Sequence, residues 1–150
     1  MGELEHSLPD LKFYSILSSS FYDDFIGRVK LFDSIFFFSL NQIKCMDQIY
    51  ESFRRSKNVS KCKIKERGAY FLCLLSGSPR IDSAIEKSGL HRDTKIFGIV
   101  SENSEEIEHF ENMFASSIAT VHVNLKERCD REDMKIFSAM TMVDYQLHSA

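Results

Sequence analysis

Residues 35–53 read IFFFSLNQIKCMDQIYESF, an apolar run followed at once by a helical pattern. The run 35–38 is apolar on both faces and too short for a helix, which is typical of a strand covered on both sides. We therefore predict a central strand here. Further apolar residues recur at intervals of three and four, which predicts a helix capped by Ser39 or Asn41: Leu40, Ile43, Met46 or Asp47, Ile49 or Tyr50, and Phe53.

Strand and helix patterns alternate on both sides of this stretch. Further strands are predicted at residues 11–18, 95–101 and 118–125, and further helices at 21–32, 69–75, 81–88, 104–114 and from Asp130 onward. Together they predict one α/β or α+β domain over residues 1–150, with a small, mostly antiparallel or mixed sheet of about four strands covered by helices.

Cap residues at both ends are predicted for the helix at 81–88. Ser78 is the predicted N-cap with Pro79 at the first helical position, and Gly89 is predicted to end the helix in a left-handed conformation. Spacing directs three apolar side chains of this helix toward the core: Ile81, Ala84 and Ile85.

The composition is that of a globular chain, since 43% of the 150 residues are hydrophobic and 27% are charged. No apolar run approaches the ~20 residues that span a bilayer, and the start of the chain lacks the pattern of a secretory signal. We expect no membrane association. The four cysteines form no close pair in sequence, which argues against a zinc knuckle and a redox CxxC and favours a reduced intracellular compartment.

Positive charge is concentrated in residues 54–67, which we call the basic segment. It holds seven cations against one anion, a local net charge of +6, while the rest of the chain carries −9. Such a stretch attracts a polyanion. The alternative is a solvated, mobile connector that only keeps the protein soluble.

Within the basic segment, Lys61, Lys63 and Lys65 alternate with other residues. In an extended chain all three would point the same way about 6.6 Å apart, a spacing suited to backbone phosphates. Nearby Tyr70 offers a stacking face for an unpaired base, or is simply packed in its helix. The methionine-rich final helix is either a core element or an adaptable binding face.

No constellation of residues indicates catalysis. Ser-Gly-Ser at 76–78 lacks the flanking pattern of a nucleophile elbow or a phosphate loop, and the five histidines have no ligand spacing. A helix start and a solvated face account for the carboxylate clusters. We expect no enzyme activity, no cofactor, no metal and no small-molecule substrate.

Four phrases, in order along the chain, resemble one known family. They are FFFSLNQIKCMDQIYESF at 36–53, KCKIKERG at 61–68, LLSGSPRIDSAIEKSGL at 74–90 and KIFGIV at 95–100. The chain is similar over about half its length to the TPRKB family, the kinase-binding subunit of the KEOPS (EKC) complex that makes threonylcarbamoyladenosine in tRNA. It departs from the family pattern at Arg80–Ile85, and at Tyr70, where the family often has glutamate.

The resemblance implies a non-catalytic accessory subunit. Such a subunit binds the atypical kinase/ATPase subunit of the complex and helps to recruit the tRNA 3′ CCA end, in the nucleus and cytoplasm if the source is eukaryotic. We expect the tRNA backbone to contact Lys61, Lys63, Lys65, Arg67 and Arg80. We expect the kinase subunit to dock on the apolar side of the last helix, at Met140, Val143 and Leu147. Two alternatives stay open: a protein adaptor without RNA contact, and an unrecognised small enzyme.

Overall fold

The computed structural model describes residues 8–148 of the chain. Its strands are β1 (Asp10–Ile16), β2 (Ile35–Ser39), β3 (Ile96–Ser101) and β4 (Ile118–Thr120). Its helices are α1 (Phe21–Ile26), α2 (Met46–Ser56), α3 (Arg67–Ser76), α4 (Ile81–Ser88), α5 (Ser104–Met113) and α6 (Lys135–His148). Short 3₁₀ turns occupy Val29–Leu31, Val59–Lys61 and Arg131–Asp133. None of the helices within residues 8–148 is long and apolar enough to cross a bilayer.

The four strands form one sheet in the order β2-β3-β1-β4. β1 pairs antiparallel with both neighbours, so that Tyr14 lies opposite Phe97 on one side and Thr120 on the other. The α+β class with about four strands is therefore confirmed. The prediction that β2 is central is wrong, because β2 lies at the edge of the sheet. A strand that is apolar on both faces indicates that both faces of the sheet are covered at that strand. It does not indicate whether the strand is central or at the edge.

Contacts divide the chain into two compact units. The first takes the residues up to Phe37 together with Arg92–His122, and the second takes Phe38–His91 together with the residues from Val123 onward. The expectation of one domain over residues 1–150 stays a prediction.

Aromatic side chains fill the core of the first unit. Phe110 of α5 packs against Tyr14 and Phe97 of the sheet, with ring centroids 5.7 and 6.2 Å apart. Phe21 of α1 stacks on Phe97 at 5.5 Å. Offset and edge-to-face aromatic pairs add to the free energy gained from burying their area. The helix predicted over 21–32 stops at Ile26, since the chain turns at the glycine that follows and continues as a 3₁₀ turn.

In the second unit, helix α2 begins at Met46, later than the sequence pattern predicts. Its N-cap is Cys45, and neither Ser39 nor Asn41 caps the helix. The amides of Met46 and Asp47 donate instead to the carbonyls of residues 126 and 127, at 2.9 Å each. These distant carbonyls satisfy amides that a helix start leaves without partners, so no side-chain cap is needed.

A disulfide joins Cys45 to Cys129 at the same place. The two cysteines are 84 residues apart, so their pairing could not be predicted from their spacing. A crosslink that closes so long a loop restricts the unfolded chain and thereby stabilises the fold. The expected reduced compartment stays a prediction, and there the same two residues would be neighbouring thiols.

Gly77 ends α3 in the left-handed conformation, with φ +72°, and the Ser78 amide donates to the Cys73 carbonyl. Ser78 is therefore part of the α3 C-cap, and the N-cap of α4 is Arg80, contrary to the prediction. Gly89 has an extended backbone, but a Cβ there would lie 2.7 Å from the Ile85 carbonyl. Of the three side chains directed to the core, only Ala84 is buried, while Ile81 and Ile85 are exposed.

Gly77 at the C-cap of α3 and Gly68 within the helix allow a matched test of this cap. Gly77→Ala forces a side chain into the left-handed region 3.1 Å from the Ala139 Cβ, and we expect a loss of about 1–2 kcal/mol in the free energy of unfolding. Gly68 lies in the first turn of α3, where an added Cβ would make an ordinary contact with the Glu66 side chain at 3.6 Å, so we expect Gly68→Ala to cause no loss or a gain of about 0.5 kcal/mol. Urea unfolding measures both. Equal effects of the two substitutions would contradict the assigned cap.

Candidate nucleic-acid interface

The basic segment passes from the end of α2 to the start of α3. Lys61, Lys63 and Lys65 are exposed, while Cys62 and Ile64 between them are buried, at 0% and 8% exposure. The buried pair belongs to the core cluster that includes residues of α3 and α6. The three lysines therefore share the outer side of the segment, because the side chains between them fill the core.

Hydrogen bonds tie the basic segment to the end of α6. The Lys63 amide donates to the Leu147 carbonyl at 2.8 Å, and the His148 Nε2 lies 3.0 Å from the Asn58 carbonyl. The interpretation of the segment as a mobile connector predicts no such fixed points. A fixed backbone holds the lysines in place, so less entropy is lost when they bind a ligand.

The three lysine side chains have no ion-pair partner among residues 8–148. Arg54 at the start of the segment differs, since its guanidinium lies 2.6 Å from the Glu51 carboxylate. A phosphate approaching the lysines would therefore displace no carboxylate in the part of the chain that the structure describes. This is the arrangement expected of cations that bind an external polyanion.

The two arginines predicted to join the lysines are placed differently. Arg67 donates to the Ser56 hydroxyl at 3.0 Å and to the Phe53 carbonyl at 3.1 Å, and its guanidinium lies over the Phe53 ring at 4.5 Å. It thus links the end of α2 to the start of α3. Arg80 is exposed at the N-cap of α4 and pairs with Asp82 at 3.0 Å. The structure brings together the three lysines of the predicted set.

Tyr70 is fully buried, so it offers no stacking face. Its hydroxyl donates to Asp144, whose other carboxylate oxygen lies 3.2 Å from Arg55. Arg55 also pairs with Glu51 at 2.7 Å. Burial is the larger cause that raises the pKa of Tyr70, and the hydrogen bond to Asp144 is the next. The phenol therefore stays protonated. This network joins α2, α3 and α6, and through Arg55 it holds the start of the basic segment in place.

The three residues predicted to dock the kinase subunit lie in the core. Met140 and Val143 have 0% exposure and Leu147 has 5%. They pack with residues of α3 and α4, including Tyr70, Leu74 and Ala84. This corrects the expectation for these side chains: the apolar side of α6 faces other helices of its own unit, and a partner protein could not reach it. The spacing identified the face correctly, but not what covers it.

The exposed side of α6 carries a feature that the sequence analysis missed. Tyr145 is 72% exposed and Met142 is 55% exposed. Tyr145 is not part of the apolar stripe of α6. Its position outside that stripe is the sequence signal that could have indicated its exposure.

The alternative of a small enzyme requires a concave site for a substrate. The first unit has a cleft of about 260 Å³. Lining residues include Tyr22, Arg92, Asp93 and Lys95. Arg92 is paired with Asp23 at 2.7 Å and lies over the Tyr22 ring, and no histidine or cysteine lines the cleft. Within residues 8–148, no group of three or more His, Cys, Asp or Glu is placed to hold a metal ion.

Comparison with known proteins finds no family model and no curated protein that matches this sequence.

The Glu51 network gives a prediction for stability against pH. Hydrogen bonding from Arg54 lowers the pKa of Glu51 from 4.5 to about 2. Because the folded pKa is the lower one, the stabilisation is present above pH 4.5 and is lost as the pH falls toward 2. Solvent screening limits it to about 1 kcal/mol.

Glu51→Gln removes this titrating carboxylate at nearly constant shape. We expect the variant to lose less stability than the original chain between about pH 6 and about pH 3, measured by urea unfolding. Parallel stability curves for the two proteins would contradict the role of Glu51.

Proposed function

We propose that this chain is a non-catalytic accessory subunit of the KEOPS (EKC) complex, which binds the atypical kinase/ATPase subunit and helps recruit tRNA through its 3′ CCA end. The observation that carries the RNA part is the anchored row of exposed lysines Lys61, Lys63 and Lys65, which have no ion-pair partner within residues 8–148. The resemblance of four ordered sequence phrases to the TPRKB family supports the choice of complex.

Electrostatics favours a nucleic acid as the ligand of this surface. The basic segment carries a net charge of +6 in an otherwise acidic chain, so a polyanion is attracted to this segment and repelled elsewhere. Each phosphate that a lysine neutralises releases condensed counterions, and three such contacts give a salt slope of roughly 2 to 3 in log–log units. A single-stranded end suits a short segment of this kind, because its phosphates and bases are both accessible.

Kinase binding needs an exposed apolar surface, which the buried side of α6 does not offer. Ile81 and Ile85 are 41% and 44% exposed on α4, inside the phrase that most specifically resembles the family. We assign the partner contact to this face of α4. Apolar side chains at spacing i, i+4 lie one above the other on a helix and can be covered together by a partner protein.

Binding of purified protein to tRNA tests the proposal, with intact tRNA and tRNA lacking the CCA end, at two salt concentrations. We expect CCA removal to weaken binding. Substitution of Lys61, Lys63 and Lys65 by Gln should weaken binding by about tenfold or more and reduce the salt slope by about 2. A matched control replaces exposed lysines outside the segment by Gln at Lys30, Lys95 and Lys135, which changes the net charge equally.

The outcomes separate the proposed function from its alternatives. Equal losses in the two triple variants would contradict a specific RNA surface. Absence of tRNA binding together with a stable complex with the kinase subunit would favour the adaptor without RNA contact. Retained kinase binding by the Lys61, Lys63 and Lys65 variant is the expected sign that its fold is intact.

A further inference from the structure

Tyr145 is the most exposed of the large hydrophobic side chains within residues 8–148, at 72%. The ring lies on α6, on the side opposite the core residues of that helix. A tyrosine that gains little from packing in its own chain leaves an aromatic face available to a ligand.

The neighbours of Tyr145 on α6 contact the start of the basic segment. His148, one turn further along, lies 3.0 Å from the Asn58 carbonyl. Thr141, one turn earlier, accepts a hydrogen bond from Arg55 at 3.2 Å. Side chains three and four residues apart on a helix have Cβ atoms about 5–6 Å apart, so Tyr145 lies beside the junction of α2 and the basic segment.

We propose that Tyr145 is a stacking platform for an unpaired base of single-stranded RNA whose phosphates lie along Lys61, Lys63 and Lys65. This inference rests on the proposed function, since it assumes that the lysines bind RNA. Non-specific single-strand sites in proteins combine a positive track for the backbone with aromatic side chains on which bases stack. Both components are present in this unit, and α6 holds both, since its Leu147 carbonyl accepts from Lys63.

Charge and shape favour a single strand over other polyanions. In a duplex the base faces are covered by neighbouring bases, so only the lysines would be used. An acidic protein segment would likewise use the lysines, and its carboxylates would offer no aromatic face to stack on the ring. Loss of the aromatic face should therefore affect one ligand class selectively.

The test measures binding by fluorescence anisotropy with three probes of equal phosphate number. They are a single-stranded RNA, an oligonucleotide of abasic sites and a blunt-ended RNA duplex. Tyr145→Ala should weaken single-stranded RNA binding by about tenfold or more, and should leave the salt slope and the binding of the abasic and duplex probes unchanged. Tyr145→Phe keeps the ring and should bind like the original protein.

Equal weakening for RNA and abasic probes, or no weakening for either, would overturn the stacking role. If the Lys61, Lys63 and Lys65 variant still loses RNA binding in that case, the proposed function stands and only the role of Tyr145 fails. If the lysine variant binds normally, the proposed function fails as well. Because Tyr145 is exposed, its variants should unfold at the same urea concentration as the original chain, which excludes misfolding as the cause of a loss.

Discussion

The hydrogen bond from the Lys63 amide to the Leu147 carbonyl, 2.8 Å long, fixes the surface on which the proposed function depends. It joins the middle of a strongly charged segment to the last turn of a helix that is held by its core. Cys62 and Ile64 on either side of Lys63 are buried, so the lysines must face outward. Core packing therefore places like charges close together on one surface. Their mutual repulsion lowers the free energy of unfolding of this unit.

The final helix serves two sides of the same unit. Its inner side, with Met140, Val143 and Leu147, packs in the core, and Asp144 ends the buried network that begins at Tyr70. Its outer side exposes Tyr145. A substitution on the inner side should change stability before it changes binding, whereas one on the outer side can change binding alone. The composition of α6 alone therefore does not show which of its residues pack in the core and which are available to a ligand.

Local pattern predicted the fold better than the site. Apolar runs located the four strands, although β4 ends at Thr120 and not at residue 125 as predicted. The helix predicted over 104–114 is present as α5, and Asn103 caps it by accepting from the Glu106 amide. The start of α2 was mispredicted because carbonyls about 80 residues away, near Cys129, satisfy its first amides. The exposure of the alternating lysines was predictable from spacing. The engagement of Arg67 by Phe53 and the burial of the α6 stripe depend on which helices pack together, which one sequence does not reveal.

Amide hydrogen exchange across residues 54–67 and 135–148, with and without single-stranded RNA, tests the central claim most directly. We expect the Lys63 amide to exchange far more slowly than in an unstructured peptide, because its donor is held by the Leu147 carbonyl. RNA should slow exchange further in both stretches. Exchange of Lys63 at the rate of a free peptide, or RNA protection confined to other parts of the chain, would contradict the account.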